Sequence, residues 1–597
     1  MMTTDAVIDK LFQAQLLTSA QSDALRRRVQ RTGQGVFQAL AELKFCDEAR
    51  YYPLLAEQSG LQLRDLAGLP PPEQENAQRI PARIALQFRC VPLKRDGSLI
   101  EVAFAAPPEA TRLDQLELLT GCAVQPVLSL PSQIDRRLEL TYGLGADSLA
   151  RLPDRQPSDQ QDGDGEEQAT QGTAAGNEDS AQKNAQSTAS RIVNQLVEEA
   201  IRTGATDIHI EQFRRRLRAR LRIDGRLRDV PLPEGINSLA EAIVSRVKVM
   251  AQLDIAEKRL PQDGRIRFQR TKGGAACDLR VSTLPTRFGE NICMRLLNLE
   301  RLCLPMNELG LDDRQLRQLR RLVSSPNGLV LVTGPTGCGK TTTLYSVLNH
   351  LREKMADAKI ITVEDPVEYE MAGITQIQIH SGIGLTFSTS LRAILRHDPD
   401  VILIGEVRDA ETAEIAIQAA LTGHLVFATL HTNDSVGAVS RIVNMGVAPD
   451  LVATSLRGVV AQRLVRRLCR HCARPDDAIP PEVAEEIARS AQRSGLLVST
   501  PMAASPKGCP ECGGTGYSGR VALYEMFFNS PQVETLVEAG ASSGELRQCA
   551  LENGLRTIRE DGMCKVAAGI TSVEEVSRVA PSPLRMDEDA PGGPPAA

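Results

Sequence analysis

At 597 residues the chain has room for about four domains. Its net charge of −6 argues against a general nucleic-acid binder, and no apolar run approaches the ~20 residues of a membrane-spanning helix. Thirteen cysteines are an odd count, and no secretory leader opens the chain, so a disulfide framework is not expected.

Residues 1–142 are mostly helical in pattern, with a mixed segment from about 80 to 130. A weak repeat pairs Leu11, Leu16 and Leu25 with Leu40, Phe45 and Leu54 at an offset of 29. Residues 143–188 read as a disordered acidic linker, because Gln156–Glu167 is Gly-rich and nearly free of apolar side chains. Beyond it, Ile192, Val193, Leu196, Val197, Ala200 and Ile201 share one helical face that Gly204 ends. Asp207–Glu211 and Leu217–Ile223 alternate as strands, and Asp224-Gly225 is a hairpin turn signal. Residues 189–300 therefore read as a small α+β domain with an arginine-lined sheet face. That face lacks the interleaved aromatics that stack on nucleic-acid bases.

Leu329–Thr333 is an apolar strand that empties into Gly334-Pro335-Thr336-Gly337-Cys338-Gly339-Lys340-Thr341-Thr342, a complete Walker A pattern opening a helix. The glycines turn backbone N–H groups onto phosphate oxygens, and the helix N-terminus adds partial positive charge. Lys340 is suited to reach the β- and γ-phosphates, and the Thr341 hydroxyl to ligate Mg²⁺. Ile360–Glu364 is a second strand ending in carboxylates. Pro366 takes the chain out of the sheet there, which places Glu364 and Asp365 at the strand mouth. Val401–Ile404 followed by Gly405-Glu406 has the form of a Walker B strand, whose acid can hold Mg²⁺ or the attacking water. Leu425–Leu430 is a fourth strand, ending at His431; His424 and His431 do not have a metal spacing.

Four segments occur in a fixed order: Gly334–Thr341, Glu364–Glu368, Asp398–Asp409 and Thr422–Asn433. Together they resemble the secretion ATPase superfamily that powers type II secretion and type IV pilus assembly, over about residues 188–580. The resemblance implies an α/β fold, with a RecA-like P-loop core over 305–580 whose twisted, mainly parallel sheet lies between helices. A small PAS-like α+β domain and a mostly helical docking domain over 1–142 would precede it. It implies that Glu364 is the general base, that Glu406 organises Mg²⁺ and water, and that His431 senses the γ-phosphate. Arginines complete such sites, some from a neighbouring subunit; Arg280 and Arg295 match first, then Arg392, Arg396 and Arg441. Arg220-x-Arg222-x-Asp224-Gly225 resembles the family's second N-terminal domain, which packs against the next subunit's nucleotide site.

The implied protein is a homo-hexameric, ATP- and Mg²⁺-dependent motor, cytoplasmic and held at the inner membrane through platform proteins that its N-terminal domain docks on. Gly373–Ile379, His431–Arg441 and Ala461–Cys469 are more similar to the secretion branch than to pilus extension. Some relatives bind cyclic di-GMP through an Arg-Leu-Gly signature; neither repeat copy has it, Phe37 standing where the glycine would be. A nucleic-acid-stimulated motor and a non-hydrolysing nucleotide-binding regulator are the rival classes, and retention of Lys340, Glu364 and Glu406 argues against the regulator.

Cys469-x-x-Cys472 and Cys509-x-x-Cys512 can offer four thiolates to Zn²⁺, although their separation exceeds that of an ordinary zinc ribbon. They mark residues 466–520 as a zinc-binding insertion like that of many assembly ATPases. Cys338, inside the P-loop, suggests sensitivity to thiol reagents. Residues 581–597 read as a frayed, disordered tail.

Overall fold

The computed structural model describes residues 4–149 and 175–581, apart from 34, 44, 68, 70–73, 215, 234, 271–275, 298–303, 477–478 and 496–503. It divides into two compact units, Met1–Leu297 and Asn298–Ala597. Among the described residues no helix is long and apolar enough to cross a membrane.

The first unit opens with helices from Thr4 to Phe88, and all six residues of the weak repeat meet in one hydrophobic cluster. Strands β1 (Cys90–Asp96), β2 (Leu99–Phe104) and β3 (Ala123–Leu128) follow as a small sheet. The α+β part is a six-stranded antiparallel sheet. Its strands are β4 (Asp207–Phe213), β5 (Arg216–Ile223), β6 (Arg226–Val230), β7 (Gln262–Phe268), β8 (Cys277–Thr286) and β9 (Gly289–Leu297). Asp224 and Gly225 both have positive φ, 49° and 83°, as the tight turn between β5 and β6 requires.

Both ends of the segment expected as a linker over 143–188 have regular surroundings. Leu144 is buried in the cluster beneath the six-stranded sheet, and its N–H donates to Pro231 O at 2.8 Å. The following helix starts at Ala175 and runs to Thr203, so polar turns extend the amphipathic segment backwards. Residues 150–174, with the acidic stretch, and 582–597, with the expected frayed tail, lie outside the described residues.

The second unit is built on a seven-stranded sheet in the order β12-β11-β13-β14-β10-β15-β18. These strands are β10 (Gly328–Thr333), β11 (Ile360–Glu364), β12 (Thr375–Gln378), β13 (Val401–Ile404), β14 (Leu425–Leu430), β15 (Leu456–Leu468) and, after a two-stranded element of β16 (Ala473–Pro475) and β17 (Ala504–Pro506), β18 (Tyr517–Phe528). Pairings from β12 through β15 are parallel; β18 closes the edge antiparallel to β15. Every residue of β10, β11, β13 and β14 is buried, which is why they read as continuous apolar runs. Leu329 and Leu331 point into one helical layer, and Val330 and Val332 into the other, so helices cover both faces. The mainly parallel α/β core expected over 305–580 is thus the architecture found.

Candidate functional site

The C-terminal ends of β10, β11, β13 and β14 converge on one edge of the sheet, where an open parallel sheet binds ligands. The P-loop leaves β10 and enters the helix Lys340–Lys354. Gly334 has φ 147°, and a β-carbon there would lie 2.5 Å from Gln462 O and 2.6 Å from Cys338 Sγ, so only glycine fits. The Lys340 ammonium bends over the loop and donates to Gly334 O at 2.7 Å and Pro335 O at 3.3 Å. Burial lowers its pKa, and the Glu406 charge works the other way.

Glu406 follows β13 after a single glycine, Gly405. It is ion-paired with Arg408 and lies 3.5 Å from His431 Nε2. Neighbouring strand ends are tied together around it: the Thr429 hydroxyl donates to Gly405 O, and Val407 N–H donates to Thr429 O at 3.0 Å. Thr333, ending β10, shares a 2.7 Å hydroxyl contact with Thr432. Lys340, Glu406 and His431 are therefore brought together as their motifs predicted.

Glu364 departs from expectation. It ends β11, but only 4% of it is exposed, and its carboxylate turns in beneath the P-loop helix rather than standing open at the strand mouth. It accepts from the hydroxyls of Tyr345 and Thr362, the latter at 2.6 Å, and from Gln376 Nε2 at 3.4 Å. Alternation along β11 explains this, because Ile360, Thr362 and Glu364 share the face that the P-loop helix covers. Burial raises the Glu364 pKa above the ordinary carboxylate range, and its three donors only partly offset that. Asp365, by contrast, is exposed.

Cys338 is 2% exposed beneath the loop, and burial pushes its thiol pKa up. Expected sensitivity to thiol reagents at this position is therefore not supported, since the reactive species is an accessible thiolate.

The zinc candidates assemble. The four sulfurs of Cys469, Cys472, Cys509 and Cys512 lie within 4.8 Å of one another. Cys469–Cys509 is 3.7 Å, Cys472–Cys512 3.8 Å and Cys509–Cys512 3.7 Å. A tetrahedral ion with Zn–S bonds of about 2.3 Å needs sulfur edges of about 3.8 Å, so the set fits. Burial disfavours the Cys512 thiolate, but N–H groups of Cys509 at 3.2 Å and Gly516 at 3.1 Å, with the neighbouring thiols of Cys509 and Cys472, outweigh it and lower its pKa. The long gap between knuckles is occupied partly by the helix Pro481–Arg493, which packs on the helix Ile558–Ala567.

The family model described as "Type II/IV secretion system protein" matches residues 182–578, about two-thirds of the chain. The chain belongs to that family. This secretion ATPase is similar to the type IV pilus assembly ATPase PilB of Myxococcus xanthus, at 39% identity over 96% of this chain and 97% of the relative. It is similar at 39% to the type II secretion system protein E of Xanthomonas campestris, over 98% of each chain. Identity reaches 50% with the type II secretion system protein HxcR of Pseudomonas aeruginosa, over 65% of this chain and 76% of the relative. A MshEN domain model matches residues 59–148. The secretion ATPase is an enzyme that uses ATP and Mg²⁺, of the class that drives secretion and pilus assembly.

The predicted arginines divide between the two units. Arg280 on β8 and Arg295 on β9 are cross-strand partners in the first unit, and Arg295 Nε donates to Asp207 at 2.9 Å. In the second unit, Arg392 pairs with Glu411 at 2.6 Å, Arg396 donates to Arg392 O at 2.9 Å, and Arg441 is exposed on the helix Ser435–Asn444.

Motif reading missed the support supplied by β15. Gln462 is fully buried; its Nε2 donates to Cys338 O at 2.9 Å and its Oε1 accepts from Thr343 at 3.0 Å. Arg463 Nη2 donates to Asn433 O at 3.0 Å, tying the strand to the His431 segment. The reason for Gly405 in the Walker B segment is also visible only in the structure. A β-carbon there would sit 3.2 Å from both Glu364 Cα and Val363 O, so β11 and β13 approach closely at this glycine. Gly405→Ala is expected to lower kcat about tenfold with little loss of ATP affinity, by displacing the Glu364 backbone. Steady-state hydrolysis beside equilibrium nucleotide binding checks it.

Proposed function

We propose that this secretion ATPase is a hexameric motor of type II secretion, converting ATP hydrolysis between subunits into pseudopilus assembly. The observation that carries the reading is the gathering of Lys340, Glu406 and His431 at the P-loop edge of the parallel sheet. The N–H groups of Gly334–Thr342 would cradle the phosphates while Lys340 moves from its own loop's carbonyls onto the β- and γ-oxygens. Mg²⁺ held by Thr341 and Glu406 would neutralise developing phosphate charge. Glu364 would polarise the attacking water, and His431 would report the γ-phosphate. Arg280 and Arg295, placed on a different unit from the P-loop, suit the role of charges brought to a neighbouring subunit's nucleotide. The four cysteines would hold a structural Zn²⁺ that fixes the insertion. The N-terminal domain over 1–142 would dock on inner-membrane platform proteins, keeping a cytoplasmic motor at the membrane.

Hydrolysis of ATP by the purified chain, resolved by oligomeric state and run beside Lys340→Ala, tests the motor. Activity that rises with hexamer formation and vanishes in the variant is expected. Activity confined to monomers, or dependent on added DNA, would overturn it. Type IV pilus extension is the second reading, favoured by the near full-length similarity to a pilus assembly ATPase. Deletion of the gene should abolish export of secreted proteins; loss of surface pili alone would favour pilus extension.

A further inference from the structure

We propose that Tyr345 is a positioning residue: it holds the Glu364 carboxylate away from the nucleotide and releases it when the P-loop helix moves. The inference rests on reading Glu364 as the base. Tyr345 lies one helical turn beyond Thr341 on the helix that carries the phosphate-binding residues. Its ring is fully buried and meets Tyr369 edge-on at 4.8 Å, so packing fixes where the hydroxyl points. The hydroxyl donates to Glu364 Oε2 and accepts from Glu368 N–H at 3.3 Å.

Both carboxylate oxygens are engaged, since Oε1 takes the Thr362 hydroxyl at 2.6 Å and Gln376 Nε2 at 3.4 Å. What remains of its lone pairs faces protein, which is why so little of Glu364 is exposed. A base in this position must turn outward before it can take a proton from water. Of its three donors, Thr362 belongs to the same strand, and Gln376 is anchored by Tyr369 O at 3.1 Å and Met371 N–H at 2.7 Å. Tyr345 alone of the three moves with Lys340 and Thr341. Nucleotide contacts at the start of the helix thereby gain a mechanical path to the base. The titratable groups acting on Glu364 are Tyr345 and Glu368; β13 presents the Gly405 backbone.

Tyr345→Phe keeps the ring and deletes the hydroxyl. Expected is a rise in kcat of about tenfold, the scale set by one lost hydrogen bond to a charged group, with KM for ATP little changed. The acid limb of the pH profile should move to lower pH, because a released carboxylate returns to water. A structural role predicts the opposite: kcat unchanged or lower, and a limb that stays or moves up because a buried carboxylate has lost a donor. Gln376→Leu should act in the direction of release by a smaller factor, and it keeps the question answerable should Tyr345→Phe fail to fold. Glu364→Gln is measured alone and with Tyr345→Phe. Abolition of activity in both backgrounds without a gain from Tyr345→Phe sinks the positioning role only, whereas hydrolysis surviving Glu364→Gln removes the base assignment itself.

Discussion

Glu364→Gln should lower kcat for ATP hydrolysis by about 10²–10⁴-fold, the usual range for loss of a general base. The change is isosteric and the site is buried, so the cost should fall on chemistry more than on fold. One repolarised contact, to Tyr345 or to Thr362, is expected to cost only about 1 kcal/mol of stability. The phosphate-binding groups of the P-loop are untouched, so nucleotide affinity should stay within a few-fold. Single-turnover hydrolysis and fluorescent-nucleotide binding on the same preparation separate the two. The pH dependence gives a second signature. A base works only when ionised, and burial raises the Glu364 pKa, so wild-type activity should fall away at a higher pH than an exposed carboxylate would give. That limb should vanish in Glu364→Gln. A variant with near wild-type kcat would reassign the base, and Glu406 would be next to test.

The second large effect concerns the cysteines. Purified under mild conditions, the chain should carry about one equivalent of zinc, and Cys512→Ser should carry almost none, because a structural site needs all four ligands. Structural zinc contributes on the order of 10 kcal/mol or more of folding free energy in small zinc modules. Its loss should therefore unfold the knuckles locally and leave the parallel sheet standing. Hydrogen exchange should accelerate strongly around Cys469–Cys472 and Cys509–Gly516, with the β10–β14 ladder protected as before. Metal analysis showing no zinc in the wild-type protein, or full zinc in the variant, would end the assignment.

The parallel core was legible because its strands are short, apolar and each followed closely by a chemically distinctive residue: Gly334 after β10, Asp365-Pro366 after β11, Gly405-Glu406 after β13, His431 after β14. That Cys469, Cys472, Cys509 and Cys512 would gather was legible from the two C-x-x-C pairs. Less legible was whatever depends on register between distant segments. Gln462 contacts Cys338 only because β15 pairs in parallel with β10, placing Ala461 beside Thr333. Nor could motif order reveal how Glu364 is held on its buried face, since one of its donors is a tyrosine on another element. The linker was overextended because the first turns of the helix from Ala175 lack apolar periodicity, while its later residues Ile192 and Leu196 supply the burial. Composition reports core-forming capacity residue by residue, whereas a helix propagates outward from the turns that pack.

The thirteen-residue strand β15 joins two chemistries. Near its middle, Gln462 grips the P-loop from behind; just past its end stands Cys469, the first of the four clustered cysteines. The distance between them, roughly 20 Å of extended chain, is spanned by backbone clamped to β18 along most of its length. Such a strand behaves as a tie rod. A displacement at the cysteine knuckle would travel along this strand and reach the phosphate cradle through the Gln462–Cys338 hydrogen bond, passing the register shift between Arg466 and Leu468 on the way. Whatever takes hold of the cysteine-bearing insertion from outside would thus pull on the backbone that supports the phosphate-binding loop.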